Sequence, residues 1–144
     1  MIIEQHTIEE WLSDEKPYMK GVVKRLMEKH TEEETAKILL TSKGVENTTS
    51  FGGYSTKQAD EDYWMKFKEE FDMFICGHPK YQNLRDDISK NSNIITISTT
   101  SLIASALAPS VGIAASFITV PVVLMLKALS ELSINAYCKN IHFE

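Results

Sequence analysis

From Asn91 to Leu126 the chain carries no Asp, Glu, Lys or Arg, whereas the ninety residues before it are crowded with all four. A run this long without charge has two physical outlets. It is the buried centre of a small bundle, or it is a segment destined for a lipid bilayer. Pro109-Ser110-Val111-Gly112 is a turn or kink signal that divides the run into Ile94–Ala108 and Val111–Leu126. Each half is about 15 residues, roughly 23 Å as a helix, and so shorter than a hydrocarbon core of roughly 30 Å. The spacing therefore predicts a hydrophobic helical hairpin that leads into an amphipathic tail, LKALSELSINAYCKN.

The hairpin is rich in hydroxyls, with Thr96, Ser98, Thr99, Thr100, Ser101 and Ser105 in its first half. Such side chains return a hydrogen bond to a carbonyl of the preceding turn, so they tolerate burial. Ser101, Ala104, Ala108, Gly112, Ala115 and Ser116 are small and recur close to four-residue spacing. They are the expected close-packed seam, either between the two arms or against a neighbouring chain or membrane. The β-branched run Ile94-Ile95-Thr96-Ile97 has a short strand as its alternative.

Ahead of the hairpin the sequence reads as amphipathic helices. Thr7 with Glu10, and Thr31 with Glu34, have capping-box spacing. Pro17 suits the first turn of a helix whose apolar stripe includes Val22, Val23, Leu26 and Met27. Lys20, Lys24, Arg25 and Lys29 interleave with acids and read as a solvated face. Gly44 is a plausible helix stop, and residues 44–56 have loop composition around Gly52-Gly53, with Phe51 and Tyr54 tucked against the core. Ser55 with Gln58 is a further candidate cap. Tyr63, Trp64, Phe67, Phe71, Phe74 and Ile75 then form an aromatic stripe, with Gly77 ending that helix and Pro79 opening another through Tyr81, Leu84 and Ile88. Phe67, Phe71, Phe74, Leu26 and Val22 are expected in the core.

Few residues invite chemistry. Cys76, His78, Cys138 and His142 are a valid tetrahedral zinc set by type, and Cys138 and His142 share a helix face. The favoured reading is nevertheless two small reduced thiols and two surface imidazoles, with no metal and no cofactor. Glu69-Glu70 and Asp86-Asp87 are adjacent pairs whose side chains diverge on a helix, and they read as solvated surface. A net charge of −5 disfavours general nucleic-acid binding. The start MIIEQHTIEE lacks the apolar core of a signal peptide, so a cytoplasmic chain is expected, with membrane association as an option.

The expected architecture is all-α. It is a single domain over residues 1–144, a bundle of five to seven helices around the central hairpin. Residues 1–90 supply charged amphipathic helices, and 91–137 supply the hairpin and a C-terminal helix. The uncharged hairpin Ile94–Leu126 behind charged helices gives a loose architectural resemblance to pore-forming colicin domains, although the chain is shorter. That resemblance implies a hairpin stored in a soluble bundle and released into a membrane. Two functions follow as expectations. One is a non-enzymatic interaction or assembly protein with a protein partner or self-association. The other is a membrane-inserting effector.

Overall fold

The computed structural model describes residues 2–41, 57–91 and 94–141. Gly44, the 44–56 loop, the Ser55 cap and His142 lie outside these. The described part is a helical bundle with one small strand pair.

Strand β1 (Ile2–Ile3) leads to helix α1 (Ile8–Trp11). The Thr7–Glu10 capping box closes reciprocally at 2.9 and 3.2 Å. Helix α2 (Pro17–Met27) starts with Pro17 in its first turn, where a missing N–H costs no bond. Val23 is its fully buried residue, while Val22 and Leu26, expected in the core, are half-buried. The apolar stripe is thus rotated by one residue, which places Tyr18 at 65% exposure. Helix α3 (Glu32–Thr41) follows the second capping box, Thr31 with Glu34, at 2.9 and 3.2 Å.

Helix α4 (Lys57–Ile75) delivers the aromatic stripe to the core. Phe67, Phe71 and Phe74 are fully buried and contact one another in sequence, with ring centroids 5.9 and 6.4 Å apart. Gly77 stands at φ +92, a left-handed value that suits glycine at a helix end. A 3-10 turn, Pro79–Tyr81, then feeds helix α5 (Gln82–Asn91). Arg85 on α5 reaches back to the end of α4. Its guanidinium donates to the carbonyls of Phe74 (2.9 Å), Met73 (3.2 Å) and His78 (2.6 Å). A helix leaves its last carbonyls without intrahelical partners, and a buried cation here satisfies them.

Strand β2 (Ile94–Ile95) pairs in parallel with β1, Ile2 opposite Ile94 and Ile3 opposite Ile95. The start of the expected first arm is therefore extended, as the β-branched run allowed. A 3-10 turn, Ile97–Thr99, precedes helix α6 (Thr100–Val111). Thr100 returns its hydroxyl to the carbonyl of Ile97 at 2.9 Å. The expected turn at Pro109 is replaced by continued helix up to Val111, and the stop is Gly112 at φ +95. One turn of helix thus survives the proline, because only the bond to the fourth preceding carbonyl is lost.

Helix α7 (Ala115–Leu132) is the most enclosed element. Val120 through Leu126 are buried without interruption, as are Ile118 and Leu129. Helices α3 and α6 cover α7 most extensively, with further contacts from α1, β1 and helix α8 (Ile134–Cys138). The architecture is all-α. Among the described residues six helices have ten or more residues, with α1 and α8 as additional short ones.

Candidate functional site

Three features of the molecule combine buried polar chemistry or exposed apolar surface. The first is a pair of buried carboxylates on α4. Glu70, expected at the surface, is only 6% exposed. It accepts from the Lys80 ammonium at 2.7 Å and from the Tyr81 hydroxyl. Lys80 also donates to Ser110 Oγ at 2.9 Å, which ties the end of α6 to the 3-10 turn. Asp72 is equally enclosed and accepts from Lys68 at 3.0 Å and from the Tyr137 hydroxyl. Lys68 reaches Tyr137 Oη at 2.9 Å as well. Burial, and then the adjacent carboxylates, push both Tyr81 and Tyr137 well above the usual phenol range. Neither phenol is a base near neutral pH. Both carboxylates are occupied by donors, as buried charges require. The sequence carried no sign of this, because adjacent acids on a helix point in different directions and only packing decides which one is covered.

The second feature corrects the expectation of reduced thiols. Cys76 at the end of α4 and Cys138 at the end of α8 form a disulfide, with Cα atoms 5.6 Å apart across 62 positions of sequence. Two cysteines far apart in sequence give no pairing signal, and only the return of α8 onto α4 brings them within reach. Their sulfurs are bonded to each other and are not available as thiolate ligands in this form. His78 accepts from the Lys80 backbone N–H at 3.0 Å through Nδ1, as the cap of the 3-10 turn. Among the described residues no group of three or more His, Cys, Asp or Glu is arranged to hold a metal ion.

The disulfide lies on the wall of an open cleft of about 350 Å³, lined also by Ile75, Gly77, Gln82, Arg85 and Asn135. A second cleft of about 390 Å³ sits beyond α8 and is lined by Ile3, Leu129, Ser130, Ser133, Ile134 and Asn135 among others. Between α7 and α8 the backbone of Ser133 has φ 100 and ψ 146. It is the one non-glycine residue with positive φ among those described. A side chain in that region costs on the order of 1–3 kcal/mol and persists only where its surroundings hold it.

The third feature is the outer surface of the uncharged run. Of the expected seam, Ala104 is buried and Ala108 and Ala115 are half-buried, whereas Ser101, Gly112 and Ser116 are exposed. Those three do not line a contact between the arms. On α6 the inward stripe is instead Thr100, Ile103, Ala104, Leu107 and Val111. The outward side shows Ser101, Leu102, Ser105 and Pro109. Around the corner into α7, Phe117 is 70% exposed and Leu102 on α6 is 47% exposed. Comparison with protein-family models, with curated proteins and with solved structures finds no match to this chain. The fold and its surfaces therefore define the class, an all-α bundle whose α6 and α6–α7 corner contribute no charged residue of their own.

Proposed function

We propose that this protein is a non-enzymatic interaction module that docks a protein partner on the outer face of α6 and the corner leading into α7. The observation that carries the reading is Phe117, a large aromatic side chain 70% exposed on a stretch without a single charge. Exposed apolar surface rimmed by polar residues marks interaction sites. Aromatic residues are enriched among those that dominate binding energy. The hydroxyls of Ser101, Ser105 and Ser116 supply hydrogen bonds without the desolvation penalty of charges. The occupied carboxylates Glu70 and Asp72 favour this over a catalytic reading, since both already serve the fold.

A photoreactive residue placed at position 117 tests it, with position 86 on the charged surface of α5 as control. Discrete protein adducts at 117 but not at 86 are expected. Equal labelling, or none, overturns the proposal.

A membrane-inserting effector is the second reading. Helix α7 is favoured for this role by its 18 residues and mean hydropathy of 1.6, long and apolar enough to cross a bilayer. Half of it is buried in the bundle, as in the core helix of a soluble protein. Its C-terminal end is also tied through α8 to α4 by the disulfide. Flotation with anionic and neutral vesicles separates the readings. Recovery of the protein with vesicles supports insertion, and its absence favours the docking module.

A further inference from the structure

Helix α8 is five residues long. A helix that short does not persist in water by itself. Three things hold it in place. The Ser133 hydroxyl caps it by accepting from the Ala136 N–H at 3.2 Å. The Tyr137 hydroxyl bonds Asp72 on α4, with Lys68 alongside. Cys138 is joined covalently to Cys76. Against these stands the positive φ of Ser133, the residue from which α8 departs. Ile134 and Asn135 line both clefts, so α8 is the ridge between them. Beneath it lie Ile75 on α4 and Leu129 on α7, at 4% and 2% exposure.

We propose that α8 is a redox-released strap. A dithiol reductant entering the open cleft exchanges with the Cys76–Cys138 disulfide, and α8 then leaves α4. One thiolate of the reductant attacks a sulfur of the bond and forms a mixed disulfide, expelling the other cysteine as a thiolate that takes up a proton. The second thiol of the reductant resolves the mixed disulfide. The reductant departs as its own disulfide, and its two electrons and two protons end on Cys76 and Cys138 as thiols. Ser133 relaxes to an ordinary conformation, and the two clefts merge into one groove floored by Ile75 and Leu129. The device is independent of the docking face on α6 and goes beyond that reading. It makes one end of the molecule responsive to the redox state of its compartment, because a disulfide persists only where thiol reductants are scarce.

Amide hydrogen exchange on the full chain, oxidised and after dithiothreitol, tests the proposal. Reduction should speed exchange at residues 135–138 at least about tenfold while Val122–Leu126 keep their protection, since local opening and global unfolding are separate events. The Cys76→Ser/Cys138→Ser double variant should match the reduced chain. Unchanged protection at 135–138 overturns the strap. Loss of protection in α7 as well also overturns it, and makes the disulfide a staple of the whole fold. Ser133→Gly provides an independent measurement. Glycine relieves the backbone only in the tied form and is itself a tolerated N-cap, so losing the hydroxyl offsets little of that relief and the dithiothreitol midpoint should still move at least about threefold toward more reductant. A midpoint that stays put or moves the other way overturns the role of Ser133 as a strained hinge for the strap.

Discussion

Helix α6 and all of α7 up to Leu126 come from the same uncharged run, and each helix contains an internal proline. Their fates differ. Helix α7 is buried continuously from Val120 to Leu126, while α6 buries one stripe and leaves Leu102, Ser101 and Ser105 outside. Composition hardly separates them. What separates them is their cover: α3, α6, α1 and α8 all pack on α7, and only part of α6 meets α4 and α7. A helix that is apolar all round is stable in water only when enclosed, and a helix with hydroxyls on one side tolerates solvent there. Absence of charge thus marks a region for burial without saying which of its helices becomes the centre.

The sharpest way to break this comparison is to place the same charge on both helices. Leu124→Asp puts an unpaired carboxylate at a fully buried site and should abolish cooperative unfolding in circular dichroism melts. Leu102→Asp should stay within about 0.5 kcal/mol of the wild type, as surface changes do. Equal damage from both would mean that α6 is enclosed as well. Next in size is Phe71→Ala on α4, fully buried between Phe67 and Phe74. Urea titration should register a loss of about 3–5 kcal/mol from lost burial plus the cavity left behind.

Overpacking probes the two sides of α6 itself. Ala104→Leu, at a site with no exposure, should cost about 1–3 kcal/mol, and Ser105→Leu one residue on should cost little. Similar costs at both positions would erase the one-sided description of α6. On α3, the helix that covers α7 most, the Thr35 hydroxyl is fully buried without a hydrogen-bond partner among the described residues. Thr35→Val should therefore be neutral or raise stability by up to about 1 kcal/mol, because it removes an unsatisfied polar atom at constant volume. A marked loss would reveal a bonding partner for that hydroxyl.

The smallest expected effect concerns the edge of the cover, where His6 precedes α1 and packs edge-on against Trp11 at 5.5 Å. Its pKa is raised, chiefly because Glu4 accepts its ring N–H, with Glu10 adding to the effect. A raised folded value means the stabilisation is complete below the unfolded pKa of about 6.5 and disappears as pH rises through the folded value. Chemical denaturation at about pH 5.5 should show His6→Gln less stable than wild type, and the gap should close by about pH 8.5. A gap of constant size would assign the role of His6 to its packing on Trp11.

Much of the fold was legible in the chain. The capping boxes at Thr7 and Thr31, the proline start at Pro17, the aromatic stripe through Phe74 and the stop at Gly77 all depend on residues within a turn or two of each other. Local geometry is encoded by local spacing, so these were readable. The candidate site was less legible. Three of the six small residues expected to form a seam, between the arms or against a neighbouring chain, are exposed, and a four-residue repeat identifies one side of a helix without saying what lies opposite it.

By itself, then, the sequence determined an all-α chain and its main helix boundaries. Only the tertiary structure decided that α7 and not α6 carries a continuous buried run, that Glu70 is buried while Glu69 is exposed, and that Cys76 meets Cys138. Each of these depends on contacts between residues far apart in the chain. Such contacts are set by how whole helix faces share a limited core, a property that no short window of sequence contains.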